Sequence, residues 1–171
     1  NEPIGSMMLD YLSRQLVEDE AFRNSFKDVS WYIVKVADND GAKLNEGWFR
    51  GPYTPLNYML NFYRPASFQQ VEWTFPIKYK TLDNNDPIPE TRALMKIIEE
   101  VKPIFIYSLH NAGFGGVYNY ISDDAPILYP IFEKAYEDQD IPAALGEPEM
   151  PYAVKFAEAV YKMPTMRDTY D

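Results

Sequence analysis

Ile4, Met8, Leu12 and Leu16 recur at helical spacing, and Leu9 and Val17 widen the stripe. The pattern predicts an amphipathic helix, with Pro3 in its first turn, where a missing N–H costs nothing. Gly5 either weakens that turn or lets a neighbour approach the backbone closely. Residues 31–36, "WYIVKV", predict a short buried strand, and "ADNDG" predicts the turn that ends it. Between Gly41 and Lys80 the period is lost. Gly, Pro, Asn and aromatic residues dominate there, which predicts an ordered loop region that lines something. "DPIPETRALMKIIEEV" is the clearest helix, with Pro89 at its start and Leu94, Ile97, Ile98 and Val101 on one face. "PIFIYSLH" then predicts a nearly continuous apolar strand of the kind found inside a parallel sheet. "GGVYNYIS" predicts another short strand. "APILYPIFEKAYED" and "PYAVKFAEAVYKM" predict helices, the first kinked or split at Pro130. This succession gives an α/β fold with a mixed, largely parallel sheet flanked by helices.

Composition narrows the class. Apolar residues are 46% and charged residues 25% of the 171, enough for a core. No apolar run is long enough to span a membrane. The net charge of −10 and the lack of a basic stripe speak against a nucleic-acid partner. Without cysteine there is no disulfide and no thiolate ligand, so His, Asp and Glu remain as metal donors. The same absence suits cytoplasm and secretion alike. Asn1 opens the chain directly at a helix, which leads us to expect a fragment with sequence upstream.

His110 is the only histidine. If residues 104–109 form a central strand, it stands at the carboxyl end, where open α/β sheets bind ligands. Asn111, Gly113, Gly115 and Gly116 would let the backbone turn sharply and leave room beside the ring. An imidazole there is either a ligand or acid–base group, or a strand-end side chain with no chemical task. Glu2 likewise is either a donor or an acidic residue favoured by the helix dipole. Together, a carboxylate at a helix start and a distant strand-end histidine form the layout of a mononuclear zinc site built from loops.

The segment "NEPIGSMMLDYLSRQL" resembles the stretch after the first zinc ligand in the zinc metallocarboxypeptidases, the carboxypeptidase A-like family. "IYSLHNAG" resembles the stretch carrying the third ligand. "WYIVKVADNDG" resembles the strand ending in an Asp-Gly turn ahead of the substrate loops. The likeness runs from Asn1 to about Ser122. It implies an α/β/α sandwich, incomplete here, with residues 1–171 forming part of a catalytic domain. It implies Zn2+ as cofactor, a peptide substrate, and Glu2 and His110 as metal ligands. The first ligand, a His, would precede Asn1 by two residues. The general base, a Glu, would lie beyond Asp171, and Glu147 and Glu149 read better as loop residues at a helix start. Arg50 in "GWFRGPY" matches the oxyanion arginine, with a surface arginine stacked on Trp48 or Tyr53 as the other reading. In "MLNFYRP", Asn61 and Phe62 match the carboxylate-binding stretch, Leu60 replaces its arginine, and Arg64 stands in reach of the same space.

The implied function is hydrolysis of C-terminal peptide bonds by the complete domain. Two ligands do not close a zinc site, so these residues alone would be inactive. The Leu60 departure keeps open a zinc-dependent deacylase of N-acyl amino acids. An aromatic content of 16% keeps open a non-catalytic domain that binds peptide or glycan.

Overall fold

A computed structural model describes residues 2–111, 115–146 and 148–171. The chain divides into two compact units, residues 1–111 and 112–171.

The first unit opens with helix α1, Pro3–Glu18, which has proline in its first turn as the pattern predicts. Asp19 ends α1 and also caps α2, Glu20–Ser25, by accepting the Phe22 N–H at 2.9 Å. Phe22, Phe26 and Trp31 then meet in sequence, tilted and edge-on, with centroids 5.1 and 5.4 Å apart. Asp10 on α1 pairs with Lys35 Nζ at 2.6 Å, which ties the following segment back to the helix.

Residues 31–36 do not form the expected strand. Among the described residues they join no ladder, and Trp31, Tyr32, Val34 and Val36 are exposed. Residues 103–110 differ from expectation in the same way. They are irregular, and Ile104, Phe105, Ile106 and Tyr107 face solvent. Strand propensity is a preference for a half-buried pleated surface, and it builds nothing without a neighbouring strand to pair the backbone.

The "ADNDG" stretch starts a helix and not a strand-closing turn. Asp38 caps α3, Asn39–Leu44, accepting the Gly41 N–H at 2.7 Å. A Cβ on Gly41 would lie 2.0 Å from the Asp38 carboxylate, so a larger residue there would displace this cap. The region expected as loop is ordered and largely helical. It contains α4, Glu46–Phe49, then α5, Pro55–Asn61, and two 3-10 turns, Ser67–Gln69 and Val71–Trp73. A short antiparallel hairpin follows, β1, Ile77–Tyr79, and β2, Leu82–Asn84.

Helix α6, Pro89–Val101, matches the predicted helix and ends at Lys102 in the left-handed conformation. Its fully buried Thr91 donates to the Val71 carbonyl at 2.9 Å and lies 2.6 Å from the Thr74 hydroxyl. That docks α6 on the Val71–Trp73 turn.

The second unit holds a three-stranded sheet in the order β3 (Asn119–Ile121), β5 (Val160–Lys162), β4 (Lys155–Ala157). β3 and β5 run parallel, while β4 and β5 run antiparallel, so the sheet is mixed and partly parallel. β3 falls where the sequence predicts a strand. Pro130 sits in the first turn of α7, Tyr129–Asp138, just after a 3-10 turn over Pro126–Leu128; this is the expected split. The helix expected over residues 151–163 is instead the β4–β5 hairpin. Val160 and Tyr161 are buried, and the Tyr161 ring meets those of Tyr118 and Tyr120 at 6.4 and 6.2 Å. Burial on a pleated face has overridden helix-compatible spacing. The chain closes with α8, Met166–Tyr170, started by a Thr165–Asp168 capping box.

The chain therefore combines helices with small mixed sheets, an α/β composition.

Candidate metal centre

The site begins with a close crossing. Gly5, in the first turn of α1, is buried, and a Cβ there would stand 3.1 Å from both the Cβ and the carbonyl oxygen of Leu109. Glycine lets the start of α1 lie against residues 108–111, the close approach its position suggested.

Across that crossing, His110 Nδ1 stands 2.8 Å from Glu2 Oε2, a contact spanning 108 residues of chain. The Asn111 N–H also donates to Glu2 Oε2, at 3.2 Å. On the far side of the ring, Nε2 lies 3.2 Å from Ser108 Oγ. The Glu2 side chain is 26% exposed and that of His110 61%, so the pair faces outward.

The Glu2 carboxyl is held below the ordinary glutamate range. The His110 hydrogen bond contributes most. Partial burial opposes it, and the Asn111 N–H and the charges of His110 and Arg64 add to the lowering. Glu2 is therefore an ionised oxygen donor at neutral pH.

One imidazole nitrogen and one carboxylate oxygen, 2.8 Å apart, are donors of the kinds zinc takes. They do not fit in number. Among the described residues no group of three His, Asp or Glu donors comes together.

The other sequence-predicted residues divide. Arg64 stands near enough for its charge to act on Glu2. Arg50 lies elsewhere, exposed, with Nη2 2.6 Å from Glu46 Oε2 one turn back on α4. Asn61 donates to the carbonyl and side-chain oxygens of Asn57 at 2.9 and 2.8 Å. It packs against Gly47, where a Cβ would meet its Oδ1 at 2.4 Å. Leu60, in the arginine's place, is exposed. The aromatic residues near Trp48 form an open depression of about 330 Å3, lined by Trp48, Pro52, Tyr53, Thr54, Pro55 and Tyr58. Gly113 and Glu147 lie outside the described residues. Gly116 serves the second unit's backbone: a Cβ there would lie 2.0 Å from the Pro142 carbonyl, beside the Val117–Ala143 bridge.

Sequence reasoning missed Asn45. It is fully buried and makes four hydrogen bonds. Its Nδ2 donates to the Gly41 and Tyr63 carbonyls at 2.7 and 2.9 Å. Its Oδ1 accepts from Trp48 Nε1 and the Tyr63 N–H at 2.7 and 2.9 Å. Both backbone groups of Tyr63 are thereby fixed, one residue before Arg64. No periodic pattern marks such a residue. At the candidate site, sequence reasoning missed the Ser108 contact and the Asn111 bond to the Ile4 N–H; only the flanking positions of these two polar residues hinted at them.

A family model described as zinc carboxypeptidase matches residues 1–165. The chain belongs to the zinc carboxypeptidase family. The match extends well past Ser122, where the sequence resemblance was expected to fade, and it includes the second unit's sheet. No curated protein and no solved structure matches the chain. Family membership ties the chain to zinc-dependent hydrolases acting on peptides. Among the described residues, no helix is long and apolar enough to cross a membrane.

Proposed function

We propose that Glu2 and His110 are two of the protein donors of a catalytic zinc centre, in a domain that removes residues from peptide C-termini. The observation that carries this is the 2.8 Å approach of the only imidazole to an ionised carboxylate 108 positions away. Residues 1–171 then form part of an α/β/α catalytic domain. The remaining donor is the His of a His-x-x-Glu motif whose Glu is Glu2. The general base is a glutamate beyond Asp171.

When bound between these donors, zinc supplies Lewis acidity at an open coordination position. The chain's own groups prepare for it. Glu2 stays ionised. His110 turns Nδ1 toward Glu2, while Ser108 at Nε2 holds the ring plane and gives the second nitrogen a partner. Arg64 places a positive charge beside the centre, suited to a substrate's terminal carboxylate, with Asn61 as a second, polar contact. Arg50, whose motif suits an oxyanion contact, is held by Glu46 and is assigned no role at this centre.

Two donors enforce no closed geometry, so the 171 residues by themselves hold zinc weakly and leave peptides uncut. A second reading, deacylation of N-acyl amino acids on the same zinc centre, is favoured by the exposed Leu60 in place of a carboxylate-binding arginine.

Metal analysis of the full-length protein tests the centre. About one zinc per chain is expected, lost in both Glu2→Ala and His110→Ala; undiminished zinc in either variant would refute the assignment. Peptides with free C-termini are expected to be cut and amidated ones spared. Cleavage of N-acyl amino acids in preference to peptides would move the assignment to the deacylase.

A further inference from the structure

Helix α1 begins without a cap from its own sequence. Glu2 occupies the N-cap position, and its side chain accepts no bond from the first turn. A side-chain acceptor at that position ordinarily takes the N–H two or three residues on, a task that suits Ser, Thr, Asp and Asn better than the longer Glu. Here its Oε2 is engaged by His110 Nδ1 at 2.8 Å and the Asn111 N–H at 3.2 Å. A first-turn donor, the Ile4 N–H, goes instead to Asn111 Oδ1 at 3.3 Å, 107 positions downstream. Asn111 therefore acts twice. Its side-chain oxygen does what an N-cap side chain ordinarily does for the helix, and its main-chain N–H fixes the Glu2 oxygen that faces the imidazole.

We infer that Asn111 is a positioning residue: it caps α1 from across the unit and so releases the Glu2 carboxylate to serve as a metal donor beside His110. This rests on the zinc-centre reading. Four orphan N–H groups begin every helix, and they draw any nearby acceptor. With Asn111 Oδ1 in place, the Ile4 N–H is satisfied and stops competing for Glu2. Without it, the nearest carboxylate is that of Glu2, which needs only side-chain rotation to turn back onto its own helix. Gly5 favours the arrangement, because a Cβ there would stand 3.1 Å from Leu109 and press residues 109–111 away from the start of α1.

The lone histidine makes this measurable without activity, since the 171-residue chain gives one set of imidazole ring signals. Wild type, Asn111→Ala, Asn111→Asp and His110→Ala would be compared by 15N-resolved ring spectra in the metal-free 171-residue chain and by zinc affinity of the full-length protein in competition with a chelating dye. Asn111→Ala is expected to move the ring signals to those of a solvated histidine and to weaken zinc binding by roughly 10-fold, the lower range for loss of an outer-shell partner. Asn111→Asp keeps an oxygen for the Ile4 N–H and is expected to retain the wild-type ring signals. Wild-type spectra and affinity in Asn111→Ala, alongside weakened zinc in His110→Ala, would overturn the capping inference and leave the zinc reading standing. Wild-type zinc affinity in His110→Ala would overturn both. Should Asn111→Ala fail to fold, Asn111→Leu, which keeps bulk but offers no acceptor, decides: solvated-histidine signals support the inference, and wild-type ring signals overturn it.

Discussion

Asn45 uses every hydrogen-bonding position of its amide, with two donors to carbonyls and two bonds accepted by its oxygen. An amide is the only side-chain group that can do this in one plane, and its zero exposure leaves no water to substitute. Asn45→Ala strands the Tyr63 N–H and the Trp48 indole N–H. At ~1–3 kcal/mol for each buried group left unpaired, we expect a loss of about 2–6 kcal/mol. Asn45→Asp is expected to be at least as damaging, because a carboxylate would face the Gly41 and Tyr63 carbonyls. Urea unfolding checks both variants, and an aspartate close to wild type would show that the amide donors do not matter. The contrast with Glu2 and His110 shows what one sequence reveals at this scale. Those two were legible because their chemistry is rare, with one imidazole in 171 residues, and because the segments around them resemble a known zinc site. Asn45 was illegible because an asparagine among glycines and aromatics reads as loop. Arg50 and Asn61 were named from motif position, but which partner a long polar side chain takes depends on neighbours that a linear motif does not specify, here Glu46 and Asn57.

At the scale of elements, legibility followed local signals. α1, α6 and α7 carry proline in the first turn, and α1 and α6 also carry a regular apolar stripe; all three appear where expected. Where the outcome depends on a distant partner, legibility was uneven: β3 was found, and three other segments were misassigned. Residues 31–36 and 103–110 have strand composition with no ladder to join among the described residues. Residues 151–163 have helix-compatible spacing, and β5 takes them because β3 offers an edge for Val160–Lys162 to pair in parallel. The hairpin makes a prediction that a helix would not. Val160 is 1% exposed in the middle strand of the sheet, whereas Lys155 at the start of β4 is exposed. Val160→Ala is expected to cost about 2 kcal/mol, from lost methyl burial plus a small cavity. Lys155→Ala is expected to change stability by less than about 0.5 kcal/mol, as exposed sites do. Thermal melts of the two variants check this, and equal losses would mean that residues 151–163 do not pack as a sheet.

For the molecule as a whole, two opposing features set its behaviour in solution. Ile104, Phe105, Ile106 and Tyr107 form an uncharged run with relative exposures of 105, 76, 62 and 58%. Its backbone joins no ladder among the described residues. An extended apolar run with open backbone groups is a template for pairing with another chain. Against it stands a net charge of −10, which makes copies repel one another. Salt weakens only the second feature, since the Debye length falls from about 10 Å at 0.1 M to about 3 Å at 1 M, while apolar contact is undiminished. Self-association of the 171-residue chain is therefore expected to rise with ionic strength, opposite to what attraction between unlike charged patches would give. Ile106→Lys is expected to suppress that rise, because a charge in the middle of the run must be desolvated on pairing. Light scattering at low and high salt checks both. Association that falls with salt, or that is the same in Ile106→Lys and wild type, would locate the sticky surface away from residues 104–107.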